Sequence, residues 1–158
     1  MTTRGRMTGR VMGALVALAA LAGPAGCTPA VAAVNVGERP TLLIVNCSDL
    51  MVDSIRVDAD GEAKAWTLRT DSKPGPARIT LFEAPEGWTV EHRTLTELSA
   101  GVQYTATAFG RGRRAVPVQF TVDALNELNP GEVLVGEPGS VAKAMSEKDY
   151  RENAADAC

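Results

Sequence analysis

The sequence predicts an all-β fold, a seven-stranded antiparallel sandwich followed by a short helical extension at the C-terminus. Between residues 41 and 122, apolar and polar residues alternate in short segments, as in strands with one buried face. Turn-forming residues separate these segments, and no helical period interrupts them. Near the end of the chain, a capping pattern precedes apolar residues spaced four apart, which indicates a helix.

The first strand is predicted from the continuously apolar run Thr41 to Cys47, which is typical of a strand covered on both faces. Six alternating segments follow it, at residues 54–58, 65–69, 78–82, 88–93, 102–108 and 116–122. Turn signals such as Asp60-Gly61 separate them. Pro117 has no backbone N–H to donate, so we expect its strand at a sheet edge.

Residues 123–158 are expected to form a C-terminal extension of the sandwich. Glu132 to Val135 has the pattern of a further short strand. Ser146 begins a capping box, and Tyr150, Ala154 and Cys158 follow at four-residue spacing. These three residues share one helix face, which we expect to pack on the sandwich.

A turn near the sixth strand resembles a known feature of one domain family. Leu98, Gly101 and Tyr104 are similar to the tyrosine corner of fibronectin type III and immunoglobulin-like sandwiches, as is the tryptophan Trp66 on a core strand. The resemblance covers residues 41–122. It implies that the phenol of Tyr104 bonds back to the backbone near Leu98.

The first 26 residues are predicted to be a signal peptide. Arg4, Arg6 and Arg10 precede the apolar run Val11 to Ala22, with no acidic residue nearby. A helix needs about 20 apolar residues to cross a bilayer, so this shorter run indicates a cleaved leader and export from the cytoplasm.

Two cleavage sites compete at the end of this leader. Pro24-Ala25-Gly26-Cys27 resembles a bacterial lipobox, in which the cysteine is acylated and becomes the N-terminus, although Pro24 stands where a branched aliphatic residue is usual. Ala30-Val31-Ala32 is an alternative site for ordinary signal peptidase. The first site predicts a lipid on Cys27 and a tether over 27–40, and the second predicts a secreted soluble protein.

The charge of the mature chain excludes one class of partner. Removing the three leader arginines leaves 13 basic residues against 19 acidic ones and takes the formal charge from −3 to −6. Nucleic-acid binding depends on neutralising phosphates, so it is not expected here. We expect contact with the membrane through an N-terminal lipid rather than through the protein's overall charge.

Two cysteines remain after either cleavage, Cys47 and Cys158. In an oxidising compartment a pair of thiols indicates a disulfide. The alternative is a buried thiol at Cys47 and a free one at the C-terminus. The sequence has no CxxC motif and no Cys/His cluster, so we expect no metal and no cofactor.

The sequence contains one candidate contact surface. Arg111, Arg113 and Arg114 are predicted at the tip of the hairpin that joins the last two sandwich strands, where guanidinium groups suit carboxylate or phosphate partners. The expected partner is an unknown envelope protein or an anionic polymer. The alternative is a solvated turn whose charges prevent edge-to-edge aggregation.

Other polar clusters give no catalytic signature. The single histidine, His92, has no nucleophile placed beside it by any motif, and Asp58 to Glu62 has the character of a hairpin turn rather than a calcium loop. We therefore expect no catalytic residues and no enzyme. The sequence favours an exported, lipid-anchored cell-envelope module with an interaction or structural role; the alternatives are a small secreted enzyme or a small-ligand carrier.

Overall fold

A computed structural model describes residues 30–36, 39–46, 51–71, 76–137 and 140–157. Within them the chain forms eleven strands and two helices. The strands are β1 (Ala30–Val36), β2 (Arg39–Val45), β3 (Ser54–Ala59), β4 (Ala65–Arg69), β5 (Arg78–Thr80), β6 (Thr89–Arg93), β7 (Tyr104–Gly110), β8 (Arg113–Arg114), β9 (Val118–Phe120), β10 (Glu132–Glu137) and β11 (Ser140–Ser146). The helices are α1 (Val122–Asn126) and α2 (Glu147–Asp156).

The strands form two antiparallel sheets. The first has the order β11-β10-β1-β2-β5, and the second has the order β6-β4-β3-β7-β8, with β9 also paired to β7. One buried cluster takes apolar side chains from both sheets, including Leu42, Ile55, Trp66 and Val118. The predicted all-β architecture of antiparallel sheets is confirmed, and each of the seven predicted segments contains a strand.

The count of seven strands is wrong, because four further strands complete the sheets. Two of them, β10 and β11, come from the predicted C-terminal extension, and β10 pairs directly with β1. Much of the predicted extension, namely β10 and β11, is therefore part of the first sheet rather than appended to the sandwich. The strand predicted at Glu132 to Val135 is confirmed as part of β10.

The tether predicted over 27–40 is wrong for residues 30–36 and 39–40, which lie in β1 and β2. β1 is a central strand, paired along its length with β2 and also with β10. Its residues Val31, Ala32 and Ala33 are at most 3% exposed. By composition alone, the small side chains of this segment suggest a linker. In the structure they allow β1 to pack closely on both of its faces.

The first sheet is covered on both faces, as the apolar run in β2 predicts. Leu42 and Ile44 face the second sheet, whereas Leu43 lies in a separate cluster with Ala32 and Tyr150. That second cluster is closed by α2, whose Tyr150 hydroxyl donates to the carbonyl of Leu43 at 3.2 Å. Burial raises the pKa of Tyr150, so this phenol remains protonated as a donor.

The predicted cap and packing of α2 are confirmed. The N–H of Asp149 donates to Ser146 Oγ at 3.0 Å, which satisfies one of the free amides of the first turn. Tyr150 and Ala154 are buried on the face that meets the first sheet. The third predicted member of that face, Cys158, lies outside the described residues.

The start of α2 is also held by an ion-pair network. Arg78 on β5 donates to both carboxylate oxygens of Glu147, at 2.7 and 2.9 Å, and Arg151 donates to the same carboxylate. Burial opposes ionisation, but the hydrogen bonds from Arg151 and Arg78 outweigh it and lower the pKa of Glu147 below its ordinary value of 4.5.

A lowered pKa means that Glu147 stabilises the fold above its unfolded-state pKa and that this contribution is lost as the pH falls through the folded-state pKa. We expect Glu147→Gln to cost less than about 1 kcal/mol at pH 7 and to flatten the loss of stability below about pH 5. Urea unfolding between pH 3 and 7 measures this. Glu152→Gln, on the exposed face of α2, is the matched control. If the free energy of unfolding of Glu147→Gln falls below pH 5 as steeply as that of the wild type, Glu147 is not a carboxylate that stabilises the fold.

The tyrosine-corner hydrogen bond is present. The backbone N–H of Ser99 donates to the hydroxyl of Tyr104 at 2.7 Å. The ring of Tyr104 is 1% exposed and stacks on Phe120, with centroids 5.7 Å apart. The side chain therefore fixes the connection between β6 and β7 to the start of β7.

Tyr104→Phe is expected to lower the free energy of unfolding by about 1 kcal/mol, the usual net value of such a bond. Ser99→Ala is the control, because Ser99 takes part in this bond through its backbone and not its side chain. This variant should unfold like the wild type. Denaturant unfolding of both variants measures the difference. If Tyr104→Phe unfolds at the wild-type midpoint, the bond does not stabilise the crossover.

Candidate functional site

The arginine segment forms a tight two-residue hairpin turn between β7 and β8. Gly110 pairs with Arg113, and the two residues between them have positive φ, +46° at Arg111 and +75° at Gly112. Two consecutive positive φ values are the mark of the type I′ turn that suits the twist of a hairpin. A hairpin turn lies in the segment where the sequence predicts one, but it joins β7 to the short strand β8, and of the three arginines only Arg111 is in the turn. Arg111, Arg113 and Arg114 are all exposed.

The hairpin is anchored to the segment that leads into β3. The N–H of Arg111 donates to Asp53 Oδ2 at 3.1 Å, and the N–H of Asp53 donates to the carbonyl of Phe109 at 2.9 Å. A Cβ on Gly110 would stand 2.3 Å from the carbonyl oxygen of Met51, so only glycine fits this approach. The arginines therefore project from a fixed backbone rather than from a loose loop.

The hairpin lies at the same end of the molecule as the first described residue. Ala30 pairs with Val45 at the end of β2, and the side-chain oxygen of the next residue, Asn46, accepts from the N–H of Val52 at 3.0 Å. Val52 is adjacent to Asp53, which holds the hairpin. We call this part of the molecule the hairpin end: Ala30, Val45, Asn46, residues 51–53 and residues 109–117.

The backbones of the two sheets also meet closely at the hairpin end. Gly136 on β10 lies so near Pro117 that a Cβ on Gly136 would be 1.9 Å from the Pro117 carbonyl oxygen. Glycine is therefore needed there for steric reasons, although the sequence predicts nothing special at this position. The contact places Pro117 and the preceding Val116 beside β10.

Two of the exposed large apolar side chains in the described residues lie at the hairpin end. Met51 and Val116 are each 38% exposed. Val116 also borders an apolar recess of about 240 Å³, which Ala30, Tyr150 and Ala157 line as well. This recess lies between α2 and the first sheet, not between the two sheets, where the carrier hypothesis expected a ligand.

The opposite end of the molecule is acidic. The turn after β3 carries Asp60 and Glu62, and the N–H of Asp60 donates to the carbonyl of Gln103 just before β7. β9 pairs with the start of β7, so α1, which follows β9, brings Asp123 and Glu127 to the same end. All four carboxylates are on exposed residues, so the charge of the domain is distributed unevenly between its ends.

His92 is exposed on β6 and borders a shallow depression of about 320 Å³. The charged neighbours there are paired with one another: Arg56 holds Asp58 through both oxygens, and Lys64 holds Glu62 at 2.8 Å. The hydroxyl of Thr94 is engaged with the backbone of Ala65. Among the described residues, the geometry places no activated nucleophile beside His92.

Asp58 to Glu62 forms the hairpin turn that the sequence predicts, with Gly61 at a φ of +77°. In the described part of the chain, no group of three or more His, Cys, Asp or Glu side chains is arranged to hold a metal ion. Neither helix that the structure describes is long and apolar enough to cross a membrane.

Three predicted modification sites, Cys27, Cys47 and Cys158, lie outside the described residues. Their nearest described neighbours are Ala30, Asn46 and Ala157, and all three belong to the hairpin end or line the recess that begins there. Sequence patterns do not show that these three neighbours lie in one region, because their proximity depends on strand pairings between distant segments. A comparison with known proteins adds no assignment: the chain matches no protein-family model, no curated protein and no solved structure.

Proposed function

We propose that this protein is exported and anchored to the cell membrane by a lipid on Cys27, and that its β domain is an interaction or structural module of the cell envelope. The supporting observation is the position of β1. The first described strand begins at Ala30, three residues after Cys27, so a mature chain that starts at Cys27 keeps every described strand.

The alternative cleavage, after Ala32, is unfavourable because it divides β1. It would remove Ala30, Val31 and Ala32, which pair with Val45, Ile44 and Leu43 of β2. Val31 and Ala32 are at most 3% exposed, so their loss would open both faces of the first sheet. This favours the lipobox over ordinary secretion, despite Pro24.

The anchor is tested by Cys27→Ala in the full-length chain, with Thr28→Ala as the matched control beside it. The expected result is that Cys27→Ala carries no lipid and that its mature chain leaves the membrane fraction. An uncleaved precursor, which its apolar leader can hold in the membrane, is recognised by its mass. Thr28→Ala stays membrane-bound. Mass spectrometry of each mature chain identifies the lipid. A mature Cys27→Ala chain that keeps the wild-type membrane distribution would contradict the proposal.

The finer fold type is also proposed, as a fibronectin type III or immunoglobulin-like sandwich. The bond between Ser99 and Tyr104 supports it, as does the fully buried Trp66 on β4, at the centre of the shared core. Domains of this kind commonly bind partners through hairpin loops at one end. The arginine hairpin is the corresponding surface here.

We further propose the disulfide between Cys47 and Cys158. Val45 pairs with Ala30, and Ala157 lines the same recess as Ala30, so the chain neighbours of both cysteines lie in one region. The intact mass without reductant is expected to be lower by two hydrogen atoms than the mass after reduction. Two thiols that react with an alkylating reagent in the unreduced, unfolded protein would refute the bridge.

A further inference from the structure

The distance between Cys27 and the domain restricts how an anchored molecule sits on the membrane. From Cys27 to Ala30 the chain advances three residues, which span at most about 11 Å when fully extended. This inference rests on the proposed anchor. If Cys27 is acylated, Ala30 is held close to the bilayer surface, and the hairpin end is held there with it.

The hairpin end carries the groups that suit an anionic bilayer. Arg111 in the turn and Arg113 and Arg114 on β8 are all exposed. A guanidinium group can bind two phosphate oxygens at once through parallel hydrogen bonds. Met51 and Val116 expose apolar surface beside them, which suits the boundary between headgroups and acyl chains.

The one acidic residue of the hairpin end, Asp53, accepts the N–H of Arg111. Two further acids in neighbouring strands and turns each have a cationic partner: Asp71 pairs with Arg69 at 3.7 Å, and Glu137 pairs with Lys143. The exposed acids Asp60, Glu62, Asp123 and Glu127 lie at the other end, where an anionic surface would repel them least. The charge distribution therefore favours one orientation of the domain.

We propose that the arginine hairpin contacts the anionic headgroups of the same membrane that holds the lipid anchor, and that this contact orients the domain with its acidic end outward. The partner of the hairpin is then phospholipid, rather than an envelope protein. The mature chain has a formal charge of −6, so we expect no such binding without the anchor. The tether supplies the high local concentration that makes a three-arginine contact effective.

The test uses the acylated full-length protein in vesicles that contain either phosphatidylglycerol and phosphatidylcholine or phosphatidylcholine alone. A spin label is attached at Val116→Cys in the hairpin end or at Glu62→Cys in the acidic end. The wild-type chain, treated with the same reagent, reports any labelling of Cys47 and Cys158. Collision of the label with an aqueous nickel chelate measures its exposure to water.

In vesicles with phosphatidylglycerol, we expect the label at residue 116 to be protected several-fold relative to the label at residue 62. This protection from the nickel chelate should be lost in the triple variant Arg111→Gln/Arg113→Gln/Arg114→Gln. It should also be lost at about 1 M salt, where the electrostatic screening length falls to about 3 Å. The control Arg39→Gln/Lys64→Gln/Arg93→Gln, which neutralises three cations away from the hairpin, should keep it.

Equal exposure of both labels on vesicle-bound protein would overturn the headgroup contact and leave the proposed anchor intact. The partner of the hairpin would then be an envelope protein or an anionic polymer. A mature protein without lipid on Cys27 would overturn the anchor and this inference together. Mass spectrometry of the purified chain separates these two outcomes.

Discussion

A chain that begins at Ala33 is expected to lose most or all of its folded structure, whereas a chain that begins at Thr28 should fold. The shorter chain lacks the first three residues of β1, a strand that pairs with β2 on one side and β10 on the other. Because β1 is central, the truncation removes pairings on both sides, those of Val45, Ile44 and Leu43 of β2 and that of Val135 of β10.

The expected cost is large compared with the stability of a domain of this size. Burying the side chain of Val31, 3% exposed here, contributes about 1.5–3 kcal/mol, and each lost backbone hydrogen bond costs about 1 kcal/mol. The total is on the order of 5 kcal/mol, which matches the lower end of the stability of native proteins, about 5–15 kcal/mol.

Tryptophan fluorescence during denaturant unfolding measures this effect, since Trp66 and Trp88 are 0% and 7% exposed. A chain that begins at Ala30 is the matched control and should unfold like the chain from Thr28. If the chain from Ala33 unfolds cooperatively at the same midpoint, β1 is dispensable and the argument against cleavage after Ala32 fails.

Gly136→Ala is expected to destabilise the domain by about 3 kcal/mol, at the upper end of the usual cost of overpacking. The new Cβ would lie 1.9 Å from the carbonyl oxygen of Pro117 and 2.7 Å from its carbonyl carbon. Both are backbone atoms, which have no alternative rotamer. The two sheets must therefore separate where β10 passes the start of β9.

The control for this prediction is Gly61→Ala. A Cβ at Gly61 meets nothing within 4 Å, but the residue has a φ of +77°, so its substitution costs only the strain of that backbone conformation, about 1 kcal/mol. Thermal or denaturant unfolding compares the variants. If Gly136→Ala is no less stable than Gly61→Ala, the sheets are not in backbone contact at this point.

Local sequence patterns were sufficient to predict the elements that depend on interactions between residues close together in the chain. The Ser146 cap, the hairpin turn at Arg111-Gly112 and the two-sided burial of Leu42 and Leu43 all follow from residue types within a few positions. Each depends on turn geometry or on period, which neighbouring residues determine.

The same local patterns could not predict which distant segments pair with each other. Ala30 to Val34 is a run of small residues beside a proline-containing segment, and only its partners in β2 and β10 show that it is a core strand. The need for glycine at residue 136 likewise depends on Pro117, nineteen positions earlier in the chain. The convergence of Ala30 with the arginine hairpin follows from these pairings, so the candidate site could be predicted as a hairpin but not as part of the anchored end.

The first residue of the mature protein tests the central proposal most directly. Mass spectrometry of the protein from intact cells, with fragmentation of its N-terminal peptide, gives that residue and any modification on it. We predict a chain that begins at Cys27 and carries acyl groups there. A mature chain that begins at Ala33 without a lipid would contradict it, because such a protein would have lost three of the seven residues of β1 as well as the anchor.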